Sequence, residues 1–133
     1  MKTLKWQLPL KTVSEANCFE HYQVKSKRHR QQKRIIRLWS IENNVRATTP
    51  LPCTIKLVRL ANRELDEEDN LRMAFKYVKD YIADELIPGL APGRADGDKR
   101  IKWEYGQEKS NLLSIRIEVS FSAPEKLADI DHV

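Results

Sequence analysis

Cysteine is scarce in this chain. Cys18 and Cys53 are the two present among 133 residues, and neither belongs to a Cys-x-x-Cys pair. That argues against a disulfide framework and against a cysteine-based zinc site, and leaves two reduced, partly buried thiols as the expectation. His21, His29 and His132 are scattered, with no spacing suited to a metal. There is no glycine-rich phosphate loop, no serine-centred elbow and no Cys–His pattern. No apolar run is long enough for a secretory signal or a membrane span, so a cytoplasmic protein with no membrane partner is expected. Aromatic residues make up 8% of the chain. Trp6, Trp39 and Trp103 fall in core-like register, which disfavours a stacking platform for single strands.

Charge is what the chain has in quantity. Charged residues amount to 32%, with 24 Lys and Arg against 19 Asp and Glu, for a formal net charge of +5. Such a balance favours polyanionic partners and does not bear on fold. A length of 133 residues with 41% hydrophobic content suits one domain that buries its own core. The folded domain is expected over residues 1–121, with a polar tail over 122–133.

Leu4, Trp6, Leu8 and Leu10 alternate with polar residues and predict a strand that ends near Pro9. Ile35, Leu38 and Trp39 carry helical spacing and predict a helix from about Lys27 to Glu42. A loop follows over Asn43–Pro52, then a strand over Cys53–Leu60. Leu71, Phe75, Val78 and Ile82 form one stripe, which predicts a helix from about Asp69 to Leu86 that stops at Pro88-Gly89. Beyond a loop over Ile87–Lys99, Ile101, Trp103 and Tyr105 alternate as a half-buried strand. Gly106–Asn111 reads as a hairpin connection into a last strand over Leu113–Phe121. The order is β-α-β-α-β-β, an α/β (α+β) fold with a mixed sheet, two helices on one face and the last two strands as an antiparallel pair.

Two constellations point to chemistry. Asp66, Glu67, Glu68 and Asp69 stand at a helix start, and Asp96 and Asp98 stand before the next strand. Hard cations such as Mg²⁺ take one or two protein carboxylates and fill the remaining positions with water and phosphate, so this set is a workable cage. The same acids also serve as helix caps and turn residues. The second constellation is basic. Lys25, Lys27, Arg28, Arg30, Lys33, Arg34 and Arg37 lie in a segment with no acid among them, where a solvated face normally mixes signs. Phosphate contacts along it would make binding strongly salt-dependent. On the second helix, Asp69, Lys76 and Asp80 share a stripe. Lys76 suits either a phosphate or a solvent-facing ion pair with Asp80.

The run Glu67-Glu68-Asp69-Asn70-Leu71, followed by Asp96 and Asp98, resembles the RusA family of Holliday-junction resolvases, common in prophages. That family carries Asp-x-Asp-Asn-Leu at the start of a helix and a further aspartate before the next strand. Asp69 matches the second aspartate and Asn70 the asparagine. The first aspartate is matched by Glu67, or by Asp66 with one residue inserted, and the later one by Asp98 or Asp96. The likeness covers roughly residues 3–121, and its specific part is the Asp69–Leu71 core with the later aspartates. The family's helix lysine, three residues after the asparagine, is Met73 here, and Lys76 lies further along.

The resemblance implies a homodimeric, Mg²⁺- or Mn²⁺-dependent endonuclease that makes paired nicks across four-way or other branched DNA in recombination and repair. Asp69, Glu67, Asp98 and Asp96 would hold the metal, and Lys76 would meet the scissile phosphate. The basic residues of the first helix would hold the DNA backbone. Two other readings stand beside it: a non-catalytic DNA-binding protein on the same scaffold, and a basic adaptor for an acidic protein partner.

Overall fold

A computed structural model describes residues 1–13, 21–65, 70–89 and 94–122. Alternation at the N-terminus forms β1 (Lys2–Leu8). Leu4, Trp6 and Leu8 pack toward the core, while Thr3, Lys5 and Gln7 are exposed. The first helix, α1 (Tyr22–Asn43), starts several residues before its expected beginning. His21 caps it, its Nδ1 accepting the Gln23 backbone N–H at 3.2 Å. Arg28, Gln32, Ile36, Trp39 and Ser40 form the buried face of α1, at the spacing of one helical stripe. The chain turns at Asn44, in the left-handed region with φ 49°. A short helix, α2 (Val45–Thr48), then occupies part of the expected loop.

The strand β2 (Cys53–Ala61) is buried over most of its length. The single helix expected from about Asp69 to Leu86 is two, α3 (Asn70–Ala74) and α4 (Lys76–Leu86). They part at Phe75, where φ is −99° and ψ 1° and the backbone N–H reaches the Arg72 carbonyl at 3.1 Å. This contact to the third residue back tightens the turn. Phe75 is fully buried there and packs on Tyr105, ring centroids 6.0 Å apart. A 3₁₀ turn (Ala95–Gly97) leads into β3 (Ile101–Lys109), and β4 (Ser114–Phe121) completes the fold.

The sheet order is β1-β4-β2-β3. β4 pairs antiparallel with both β1 and β2, and β2 pairs parallel with β3. The expected hairpin between the last two strands is therefore not formed: the chain leaves β3 at one edge and crosses β2 to enter the middle of the sheet. β2 and β4 are the most buried strands, and central places give both their edges a hydrogen-bonding partner. The parallel β2–β3 pair requires a crossover, which α3 and α4 supply. All helices lie on one sheet face, where Ile36, Trp39, Phe75, Val78 and Ile82 meet Ile55, Leu57, Ile115, Ile117 and Val119. α1 and α4 run parallel: His29 stacks on Tyr77 at 4.0 Å, and eight residues further along both helices Arg37 reaches Glu85 at 3.4 Å. Among the described residues, no helix is long and apolar enough to cross a membrane.

Candidate functional site

Because α4 crosses the sheet beside β3, it leaves a cavity of about 520 Å³ bounded by α3, α4, the 3₁₀ turn and the near face of β3. Asp80 and Asp96 provide its carboxylates, Arg72, Lys76 and Lys79 its cations, and Trp103 and Tyr105 its aromatic wall. Strand alternation explains the wall: residues 101, 103 and 105 share one face, with Ile101 buried in the core and the next two half-buried. Helical spacing explains the opposite side, since Lys76, Lys79 and Asp80 stand three and four residues apart on α4.

The two carboxylates are coupled. Burial, then the Asp96 charge and a hydrogen bond shared with the Asp96 side chain, push the Asp80 carboxyl up to about 6; Asp84 adds to this and Lys79 opposes it. Asp80 therefore keeps its proton to a higher pH than a free carboxyl does. Lys79 Nζ lies 3.9 Å from Asp96 Oδ2. The Asp96 backbone carbonyl accepts the Trp103 indole N–H at 3.1 Å, which ties the turn to the aromatic wall.

Asp98 is placed differently. Arg100 donates to both of its oxygens at 3.0 Å, and the Arg100 backbone N–H adds a third bond at 2.9 Å. These contacts hold the Asp98 carboxyl down at about 2. Of the two later aspartates singled out in the sequence, Asp96 faces the cavity and Asp98 is occupied by its neighbour. Lys76 lies at the cavity, its ammonium 5.6 Å from the Tyr77 ring centroid. Asp66, Glu67, Glu68 and Asp69 lie outside the described residues. Among the described residues, no three His, Cys, Asp or Glu side chains gather as a metal-binding group.

The basic segment divides. Lys27, Arg30, Lys33, Arg34 and Arg37 are exposed along α1 and Lys25 is half-exposed, whereas Arg28 points inward with 9% exposure. Arg28 is thus removed from the solvent-facing stripe to which the sequence assigned it. Arg30, Arg34 and Arg37 continue that stripe into the exposed aliphatics Leu38 and Ile41.

Sequence reasoning missed the partnership of Asp80 with Asp96 and the places of Arg72, Lys79, Trp103 and Tyr105. Helical spacing offers Lys76 as the partner of Asp80 and carries no signal for a contact across to the turn. Trp103 does sit in core-like register and packs against the core, yet β3 is an edge strand, so part of the ring also meets the cavity. Searches against family models and against curated proteins give no match for this chain.

Proposed function

We propose that this protein is a metal-dependent endonuclease acting on four-way or otherwise branched DNA, a divergent relative of the RusA resolvases. The observation that carries the reading is the cavity in which two coupled carboxylates, Asp80 and Asp96, face Arg72, Lys76 and Lys79. The acidic run Asp66–Asp69 joins directly onto α3, whose Arg72 and Met73 are part of the same cavity wall. The donor set fits a hard divalent cation, since Mg²⁺ needs only one or two protein carboxylates. Asp96 and Asp80, with Asp69 and Glu67 from the adjoining run, would hold it. Bound there, Mg²⁺ or Mn²⁺ would supply charge neutralisation and Lewis acidity toward a phosphodiester.

The protein's own side chains divide the remaining work. Lys76 and Arg72 stand where a phosphate beside the carboxylates would otherwise meet unrelieved negative charge. Lys79 limits the repulsion between Asp80 and Asp96. The exposed cations of α1 extend the positive surface along the neighbouring helix and suit a DNA backbone, in keeping with the net charge of +5. A homodimer would present two such sites to two symmetric strands.

Met73 favours a second reading. It lines the cavity where the family's pattern has lysine, which suits a junction-binding protein that has lost its chemistry.

The test is cleavage of a labelled four-way junction with Mg²⁺, Mn²⁺ or chelator, beside linear duplex. The expected result is metal-dependent paired nicks, lost in Asp69→Asn and Asp96→Asn while junction binding persists or strengthens. Tight junction binding without cuts in either metal supports the second reading. Equal binding to junction and duplex removes branched DNA as the substrate.

A further inference from the structure

We infer that the same cavity contains a stacking subsite for one unpaired nucleobase, with Trp103 and Tyr105 as its platform and Arg72 and Lys79 as its rim; the inference rests on the reading of the protein as one that engages branched DNA. The orientation of the two rings carries it. Lys79 Nζ lies 5.5 Å from the Trp103 ring centroid and over that ring, and the Arg72 guanidinium lies 5.7 Å from that of Tyr105 in the same way. Cations take this position over a π-face, not an edge. Each face is therefore turned toward a cation that lines the cavity with it, and a flat ligand reaches the ring when that cation moves aside.

The platform is held in place before any ligand arrives. The Trp103 indole is fixed by its hydrogen bond to the Asp96 carbonyl, and Tyr105 packs on buried Phe75. Little conformational freedom remains for these rings to lose on binding. The rim, by contrast, can give way. Arg72 is exposed, and Lys79 carries its charge on a flexible stem. Either can withdraw from its ring to admit a base and then cover the outer face of that base, which keeps a cation–π contact on the far side.

Size and charge select the ligand class. About 520 Å³ lies within the range of small-ligand pockets, so it suits one nucleotide and not a paired helix. Without a metal ion between them, a phosphate in the cavity would be repelled by Asp80 and Asp96, whereas a base presents a neutral polar edge to them and leaves its phosphate at the cationic rim. An unpaired base is what a branch point or a single strand exposes. Trp6 and Trp39 offer no equivalent, since they pack edge to face at 5.3 Å, with Trp39 buried.

The experiment compares two ten-nucleotide single strands of equal charge, one carrying its bases throughout and one with abasic residues at its three central positions. Binding is read by fluorescence anisotropy in chelator, so that no cutting intervenes. The native protein is expected to hold the base-containing strand about ten-fold more tightly. Tyr105→Leu and Trp103→Leu are expected to bring that ratio close to one with little change toward the abasic strand, and Tyr105→Phe to preserve it. Equal affinity of the native protein for both strands overturns the subsite while leaving junction binding intact. Failure to bind either strand or a four-way junction overturns the underlying reading and the subsite with it.

Discussion

At the scale of single residues, three aspartates in one neighbourhood differ through what surrounds them. Asp98 is neutralised by Arg100, Asp96 faces the cavity, and Asp80 shares a hydrogen bond with Asp96. The Asp80 carboxyl has an ordinary value of 3.8 and is raised to about 6 in the fold. Between those values the folded chain holds a proton that the unfolded chain has released, so stability falls as pH rises from about 4 to about 6. Asp80→Asn is expected to remove that fall and to stabilise the protein at pH 7.5. Full conversion of the shift would be about 3 kcal/mol, and access of solvent through the cavity mouth reduces it to roughly 1 kcal/mol. Urea unfolding at pH 4.5 and 7.5 measures it, and an unchanged pH slope in the variant would refute the coupling. The same contrast bears on chemistry. Asp96→Asn should lower junction cleavage by more than about 100-fold, beyond what losses at supporting residues cost. Asp98→Asn should lower it several-fold at most, and equal losses would mean that Arg100 releases Asp98 to the site.

At the scale of elements, α1 shows how one basic segment serves two purposes. Its inward stripe takes Arg28 into the protein beside Gln32 and Ile36, and its outward stripe keeps Lys33 and Arg34 in solvent. If the outward stripe follows a phosphate backbone, each lost contact reduces the salt dependence of duplex binding by about 0.9 log units per log unit of salt. Replacing both Lys33 and Arg34 by Gln should therefore flatten the slope by about 1.8 without shifting the melting temperature. Arg28→Ala should do the reverse, with a lower melting temperature and an unaltered slope. A steep slope retained in the double variant would assign the backbone contacts to another surface. The break between α3 and α4 belongs to this scale too. Leu71, Phe75, Val78 and Ile82 read as one stripe, and all four are buried, but the stripe is divided over two helical segments with Phe75 at the joint.

At the scale of the whole molecule, the sheet order determines which residues meet. With β4 between β1 and β2, β3 becomes an edge, and the near face of that edge is what α4 leaves open as the cavity. The far face carries an ordered set of charges. Lys5 stands opposite Glu118, Glu118 opposite Lys56, and Lys56 opposite Glu104, an alternation of sign across all four strands. Such cross-strand pairs favour this register over a slip. The central place of β4 has a measurable consequence. Ile117→Ala, at a fully buried position between two strands, is expected to cost about 2–5 kcal/mol, read by denaturant unfolding. Amide exchange should be slowest in β2 and β4 and faster in β1 and β3. Edge-like exchange along β4 would contradict the observed strand order.

Periodicity by itself determined the identity of the strands and the buried stripe of Leu71, Phe75, Val78 and Ile82, because alternation by two and by three to four residues is a local property of the backbone. On α1 it set Leu38 beside Trp39, yet Leu38 is exposed and Arg28, Gln32 and Ser40 share the buried face. Leu8, Leu10 and Trp39 were legible as buried residues on the same ground. The sequence also drew attention to Asp96 and Lys76 from composition and spacing, though it could not separate Asp96 from Asp98. Only the tertiary structure decided what was not local. The partners of β4 depend on which strands compete for a central place, and the hairpin suggested by the short link between β3 and β4 gave way to that competition. The inward turn of Arg28 depends on what packs against α1. The pairing of Asp80 with Asp96, and the turning of the Trp103 and Tyr105 faces toward one cavity, arise because a crossover helix is laid beside an edge strand, and chain neighbours carry no record of that contact.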